Sequence, residues 1–244
     1  MGKIFKYELR RLILNKFFIG LLLINAVYAW HILTTDTIAG IAYSAPFSPW
    51  SFGAYLGATM PFAILTVFFL LTVYYSKKEK QVAVLTSATP VAPLRYALVR
   101  SGAAAVCFLL IMTVIIGLSV YFYISFFDYS AFMEFIIPAL VIPLPCFVFA
   151  LGIGHLAGRI HPILLYVLMI VVMTAGFTVN DSSFDFFGNG YFSSYPKHLP
   201  VNTDGEPLFT PEAIFWAARF MYLTIGAMLL TIGIGFAKRK ARKA

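Results

Sequence analysis

Apolar residues gather along the chain into six long runs, separated by charged or proline-rich intervals: Phe17–Leu33, Phe52–Tyr75, Ser101–Ser125, Phe135–Leu156, Pro162–Val179 and Ala213–Ala237. A helix needs about 20 mostly apolar residues to cross about 30 Å of hydrocarbon, so each run predicts a transmembrane helix. The first and fifth are short and would have to borrow residues from their flanks. Ahead of the first run, Phe5, Leu9, Leu12 and Ile13 recur at helical spacing, while Lys3, Lys6 and Arg10 cluster on another flank. Residues 1–16 therefore predict an amphipathic interfacial helix on the bilayer surface. The first run does not read as a cleavable signal peptide, because its long apolar core lacks a small-residue cleavage site. The fold expected is an all-α integral membrane protein, with one transmembrane domain of six helices over residues 1–244.

Composition agrees with this pattern. Hydrophobic residues make up 61% of the chain and charged residues 11%, against about 45–50% and 25% in soluble domains. Cys107 and Cys146 both fall inside predicted spans and read as small apolar packing residues.

Charge adds orientation. Sixteen of the 18 basic residues fall in the N-terminal segment, the interval after the second run, the turn after the fourth, and the C-terminal tail. Eight of the ten acids lie in the other intervals, as do Trp30, Trp50 and Trp216 at the ends of spans. The positive-inside rule then puts both termini and residues 76–100 in the cytoplasm. The net charge of +8 is accounted for by topology and by anionic inner-leaflet lipid, which makes membrane lipid an expected partner and nucleic acid not one.

Two intervals and one span stand out. Residues 180–211 form a long outer interval rich in aromatics, read either as a lid over the helix ends or as a gate. The fourth run carries Pro138, Pro143, Pro145, Gly152 and Gly154, which predict a kinked helix shielded by protein. Such a helix lines a substrate path or bends for packing. Polar positions Asn25, Thr66 and Thr113 lie within spans and, with Pro143 and Arg219, are candidates to line a translocation path. For Arg219 the favoured reading is a side chain snorkelling to the outer headgroups, with an anionic substrate as the other.

Much chemistry is missing from the sequence. No Asp or Glu lies in the middle of a span, where ion-coupled carriers usually keep one. The four histidines show no metal-ligand spacing on one helix face, and no G-x-x-x-x-G-K-[ST] phosphate loop occurs. No catalytic, cofactor-binding or metal site is expected in the chain.

Residues 76–100 are too polar for the membrane and too apolar for an ordinary linker. Val82 and Leu85 can share one face of a short helix from about Glu79 to Ala88, with Lys78 and Gln81 on its flank. Thr89 can cap the residues after it, and Pro90 ends the helix before it. A stiff water-side helix tied to two spans can transmit a push.

The N-terminal KIFKYELRRLILNK, six spans with both ends inside, the inner segment KKEKQVAVLTSATPVAPLRYALVRSGAA and the long outer loop together resemble the permease subunits of type-2 ATP-binding-cassette (ABC) exporters. The inner segment is nearest to a motif, through Glu79, Thr89-Pro90, Tyr96 and Arg100; after the tyrosine, Val99-Arg100-Ser101-Gly102 stand in place of the family's usual lysine and glycine. The resemblance implies that Glu79, Val82, Leu85, Thr89 and Pro90 contact a separate ABC ATPase subunit, which holds the ATP and Mg. It also implies a dimer with a second permease copy or a homologous permease, and export across a cell membrane, by expectation bacterial. A different class stays open: a membrane scaffold or assembly factor whose inner segment binds lipid or a soluble partner without transport.

Overall fold

The computed structural model describes residues 2–76, 79, 93–178, 183–202 and 206–241, of which 93 and 236–241 are described only in their helical course. Among these the chain is helical, with a single β-bridge between Val201 and Pro207. The helices are α1 (Gly2–Ile13), α2 (Lys16–Thr35), α3 (Pro49–Tyr75), α4 (Pro93–Phe127), α5 (Ile136–Val141), α6 (Pro143–Ile160), α7 (Ile163–Phe177), α8 (Asn189–Ser194) and α9 (Ala213–Ala241).

Local signals set several boundaries. Asn15, in extended conformation, stops α1 and caps α2 by accepting the Phe17 amide at 3.1 Å. Ser48 accepts the Ser51 amide and Pro49 opens α3, where its missing N–H costs nothing. The prolines of the fourth run act as expected: a 3-10 turn at Phe132–Phe135 leads into α5, and the chain breaks at Ile142 before Pro143 restarts it as α6.

Among the described residues five stretches are long and apolar enough to cross a membrane: Lys16–Ala39, Pro49–Tyr75, Leu94–Phe127, Phe132–Ile160 and Ala213–Gly235. The first run is completed from its flanks, as α2 spans 20 residues, or about 30 Å at 1.5 Å per residue. The fifth is not. Helix α7 has 15 residues, about 22 Å, and falls short of a full crossing. Helix α4 begins eight residues before the run predicted for it, so Pro93–Arg100, read as the end of the inner segment, are the first two turns of the third span.

The core sits around α3, which contacts α2 and each of α4 to α8. Its most apolar window is 67% buried, against 22% for those of α2 and α9. The large exposed residues along the middles of α2, α7 and α9 are mostly apolar, among them Leu23, Val27, Ile170, Phe220 and Met228, as a lipid-facing surface requires. Close approach to α3 relies on glycine. A Cβ on Gly57 would lie 2.5 Å from the Asn189 amide nitrogen, and one on Gly53 would overlap the Phe192 ring. Gly152 and Gly226 serve α6 and α9 in the same way: a Cβ on Gly152 would sit 2.4 Å from the Gly226 carbonyl oxygen.

Helix α8 lies within residues expected to form an outer loop, yet it is built into the bundle. The end of α7 meets α3 at Pro61 through Gly176, the start of α8 meets it one turn further out at Gly57, and Phe192 reaches Gly53. Trp50 then packs on Tyr191, Phe192, Tyr195 and Phe209 at 4.9 to 6.4 Å between ring centroids.

Candidate functional site

Distant parts of the sequence supply a cluster on the side that the charge pattern predicts to be inner. Helix α1 contributes Glu8 and Arg11, one turn apart; the inner end of α3 contributes Tyr74; the first turns of α4 contribute Tyr96 and Arg100; and Glu79 comes from the segment between them. The Glu8 side chain is 2% exposed. Its Oε1 accepts a 2.8 Å hydrogen bond from the Tyr96 hydroxyl and lies 3.5 Å from Arg100 Nε, while Oε2 lies 3.7 Å from Arg11. Arg11 also reaches Glu79 Oε1 at 2.5 Å, and Arg100 pairs with Glu79 Oε2. The Arg100 guanidinium lies over the rings of Tyr74 and Tyr96, at 4.9 and 4.4 Å from their centroids. The Tyr74 hydroxyl donates to the Arg100 carbonyl.

Two carboxylates and two guanidiniums thus close a network across α1, α4 and Glu79, with Tyr74 of α3 against Arg100. The charges cancel, which lets the pairs sit at the protein–water boundary without an uncompensated buried ion. Glu79 was expected to face an ATPase subunit; its carboxylate is held by Arg11 and Arg100 of its own chain. Val82, Leu85, Thr89 and Pro90 lie outside the described residues.

Beside this network a second one joins α3, α4 and α6. His155 is buried, with Nδ1 2.8 Å from the Tyr75 hydroxyl and Nε2 3.0 Å from Ser101 Oγ. Ser101 donates to the Ala97 carbonyl, so its oxygen accepts Nε2–H, and the Tyr75 hydroxyl is shared between Nδ1 and the His155 carbonyl, 3.2 Å away. That pattern satisfies a neutral imidazole at both nitrogens. Because the serine proton is committed to a backbone carbonyl, the pair is a structural tie between helices and not an activated nucleophile.

Arg219 departs from the snorkelling expectation. It is 3% exposed, lies over the Phe215 ring and donates to the carbonyls of Asp185 at 2.6 Å and Phe186 at 2.7 Å. Asp185 in turn accepts from the amides of Phe187 and Gly190, fixing the entry to α8. Gly188 passes so near the Arg219 guanidinium, at φ +85°, that a side chain there would be strained as well as crowded. Arg219 therefore binds non-helical backbone of its own chain, in place of lipid headgroups.

The other path candidates do not converge with it. Asn25 and Thr66 meet as a buried pair between α2 and α3, with Asn25 Nδ2 donating to Thr66 Oγ1 at 3.0 Å. Thr113 is exposed on α4 and its hydroxyl turns back to the Leu109 carbonyl. Pro143 is buried where α6 begins. Cys107 and Cys146 are both buried and free, as expected of packing residues, and the Cys146 thiol contacts the Phe186 carbonyl at 3.0 Å.

Sequence reading missed Glu8 and His155 as site residues. The signal for Glu8 was available: it and Glu79 are the two acids on the otherwise basic inner side, and the network pairs both. Compared with known protein families, with the curated proteins and with the solved structures, the chain matches none.

Proposed function

We propose that the chain is the membrane-spanning permease subunit of an ABC transporter, moving a substrate outward with ATP hydrolysed by a separate ATPase subunit. The observation that carries this reading is the inner network. Glu79 opens the water-side segment that resembles the family's coupling element, and its carboxylate is tied to α1 through Arg11 and to α4 through Arg100. A push on that segment from a soluble partner would reach two further elements through side chains that are already ordered. A lipid-resting loop has no need of such ties, which favours the permease over a scaffold.

The same reading places six crossings in the membrane with both termini inside. Helices α7 and α8, end to end along α3, would make the fifth, broken between Pro61 and Gly57. Irregular backbone at that depth must be covered by protein or line a watery path. Arg219 binds the backbone at one end of it, and Phe177, the last residue of α7, is 65% exposed. A second permease copy on the α7 face would complete the shield.

The test is purification in mild detergent followed by mass spectrometry. An ATPase bearing a phosphate loop should co-purify in stoichiometric amount, and its persistent absence would sink the reading. Orientation is tested by single cysteines: one at Ser76 should react with an impermeant reagent only from inside, one at Asn202 only from outside.

A further inference from the structure

The apolar face of α1 is turned into the protein, so the helix meets its surroundings with a different face. Glu8 and Leu12 are buried, Phe5 lies 3.5 Å from the position of a Cβ on Gly102 of α4, and Leu9 and Ile13 pack against the core. The opposite arc holds Lys3, Lys6, Tyr7, Arg10 and Leu14, all exposed. Spaced at 100° per residue, Lys6, Arg10 and Lys3 occupy one edge of that arc and Leu14 and Tyr7 the other. Tyr7 is 67% and Leu14 63% exposed. No ion pair engages Lys3, Lys6 or Arg10 among the described residues, because the acid of this helix, Glu8, is committed to the inner network.

Depth is fixed by connectivity. A two-residue turn joins α1 to α2, whose apolar run starts at Phe17, so α1 sits where the hydrocarbon ends. We infer that the outward face of α1 is a preformed binding site for anionic phospholipid headgroups. The phosphates face Lys3, Lys6 and Arg10, while Tyr7 and Leu14 enter the acyl boundary beside them. A basic edge next to an apolar edge fits a charged headgroup attached to a tail; a soluble acidic peptide would leave Tyr7 and Leu14 in water. The arrangement is rigid before lipid arrives, since Glu8 and Arg11 anchor the same helix from behind. The inference rests on the membrane character of the chain and not on the permease reading, so either can fail alone.

The experiment uses the full chain in mild detergent with equal amounts of phosphatidylglycerol and phosphatidylcholine, and native mass spectrometry to count lipids retained. The chain should prefer the anionic lipid, and raising the salt should erode that preference. Lys3→Gln, Lys6→Gln and Arg10→Gln together should lower it on the order of a hundredfold, since each cation near an anionic surface contributes about fivefold. Lys197→Gln, an exposed cation outside α1, should change nothing. If the triple variant fails to fold, the salt titration of the unmodified chain and a Lys3→Arg, Lys6→Arg variant, which should retain the preference, still decide the matter. A preference undiminished by the three substitutions, or indifferent to salt, would overturn the inference.

Discussion

The ends of this molecule that the charge pattern predicts to be inner and outer are held by different physics. At the inner end, charged side chains from α1, α4 and Glu79 grip one another across helices. At the outer end, an arginine grips main-chain carbonyls ahead of α8, and aromatic rings stack around Trp50. Arg11, whose side chain is 27% exposed, can exchange partners at modest net cost because solvent compensates what is released, whereas Glu8 at 2% is held by its buried pairs. Carbonyls freed at membrane depth have no such substitute. The difference makes Arg219 and the carbonyls it holds the stiffer frame, and the charge network the softer tie.

Breaking the frame should have the largest effect. Arg219→Ala leaves the Asp185 and Phe186 carbonyls unpaired in a buried site, at a cost of about 3–5 kcal/mol. We expect poor yield and a steep fall in the melting temperature of the detergent-solubilised protein, with only partial recovery in Arg219→Lys, whose single ammonium cannot copy the planar fork. An Arg219→Ala protein as stable as the parent would remove the contrast between the two ends.

The inner network comes next. Glu8→Gln keeps the shape but removes one of two anions facing Arg100 and Arg11, a loss of about 1.5–3 kcal/mol for a charge-assisted bond. The protein should still insert and fold. A double-mutant cycle with Arg100→Gln sharpens the point: the pair should couple, with the double variant losing less than the two single losses added together. Strict additivity would mean that Glu8 and Arg100 act independently and that α1 is not tied to α4 through them.

The smallest effect is expected at His155. Tyr75→Phe removes one hydroxyl from Nδ1, worth about 0.5–1.5 kcal/mol. Ser101 still holds Nε2, so melting should shift by a few degrees only. A collapse of the fold would place this tie among the frame elements.

Much of the frame was legible in the sequence, for reasons that are local. Apolar runs of helix length set α2, α3, α4, α6 and α9, and prolines at 138 and 143 gave the break between α5 and α6. The Asn15 cap separates α1 from α2 where charge gives way to apolar residues. Other features depended on distant partners. The amphipathic pattern of α1 shows an apolar face without telling lipid from protein, and Tyr96 and Arg100 stand some 90 residues from Glu8. Arg219 is long enough to snorkel, and only the placement of residues 185 and 186 turns it inward. Helix α8 is six residues long, too short to carry a periodic signal. Gly53 and Gly57 hinted at a close neighbour on α3 without saying which.

The central proposal is that force enters through residues 76–100, which Glu79 ties to α1 and α4. It is tested by Leu85→Asp beside Gln81→Glu, measuring the ATPase retained per permease and the substrate-stimulated hydrolysis of the complex. If Leu85 packs in a groove of the partner, the change loses about 1.5–3 kcal/mol of burial and forces a carboxylate out of water. The account predicts that Leu85→Asp expresses normally, loses the ATPase and its stimulated hydrolysis, and that Gln81→Glu keeps both. A Leu85→Asp protein that retains its ATPase and hydrolyses as the parent does would contradict it.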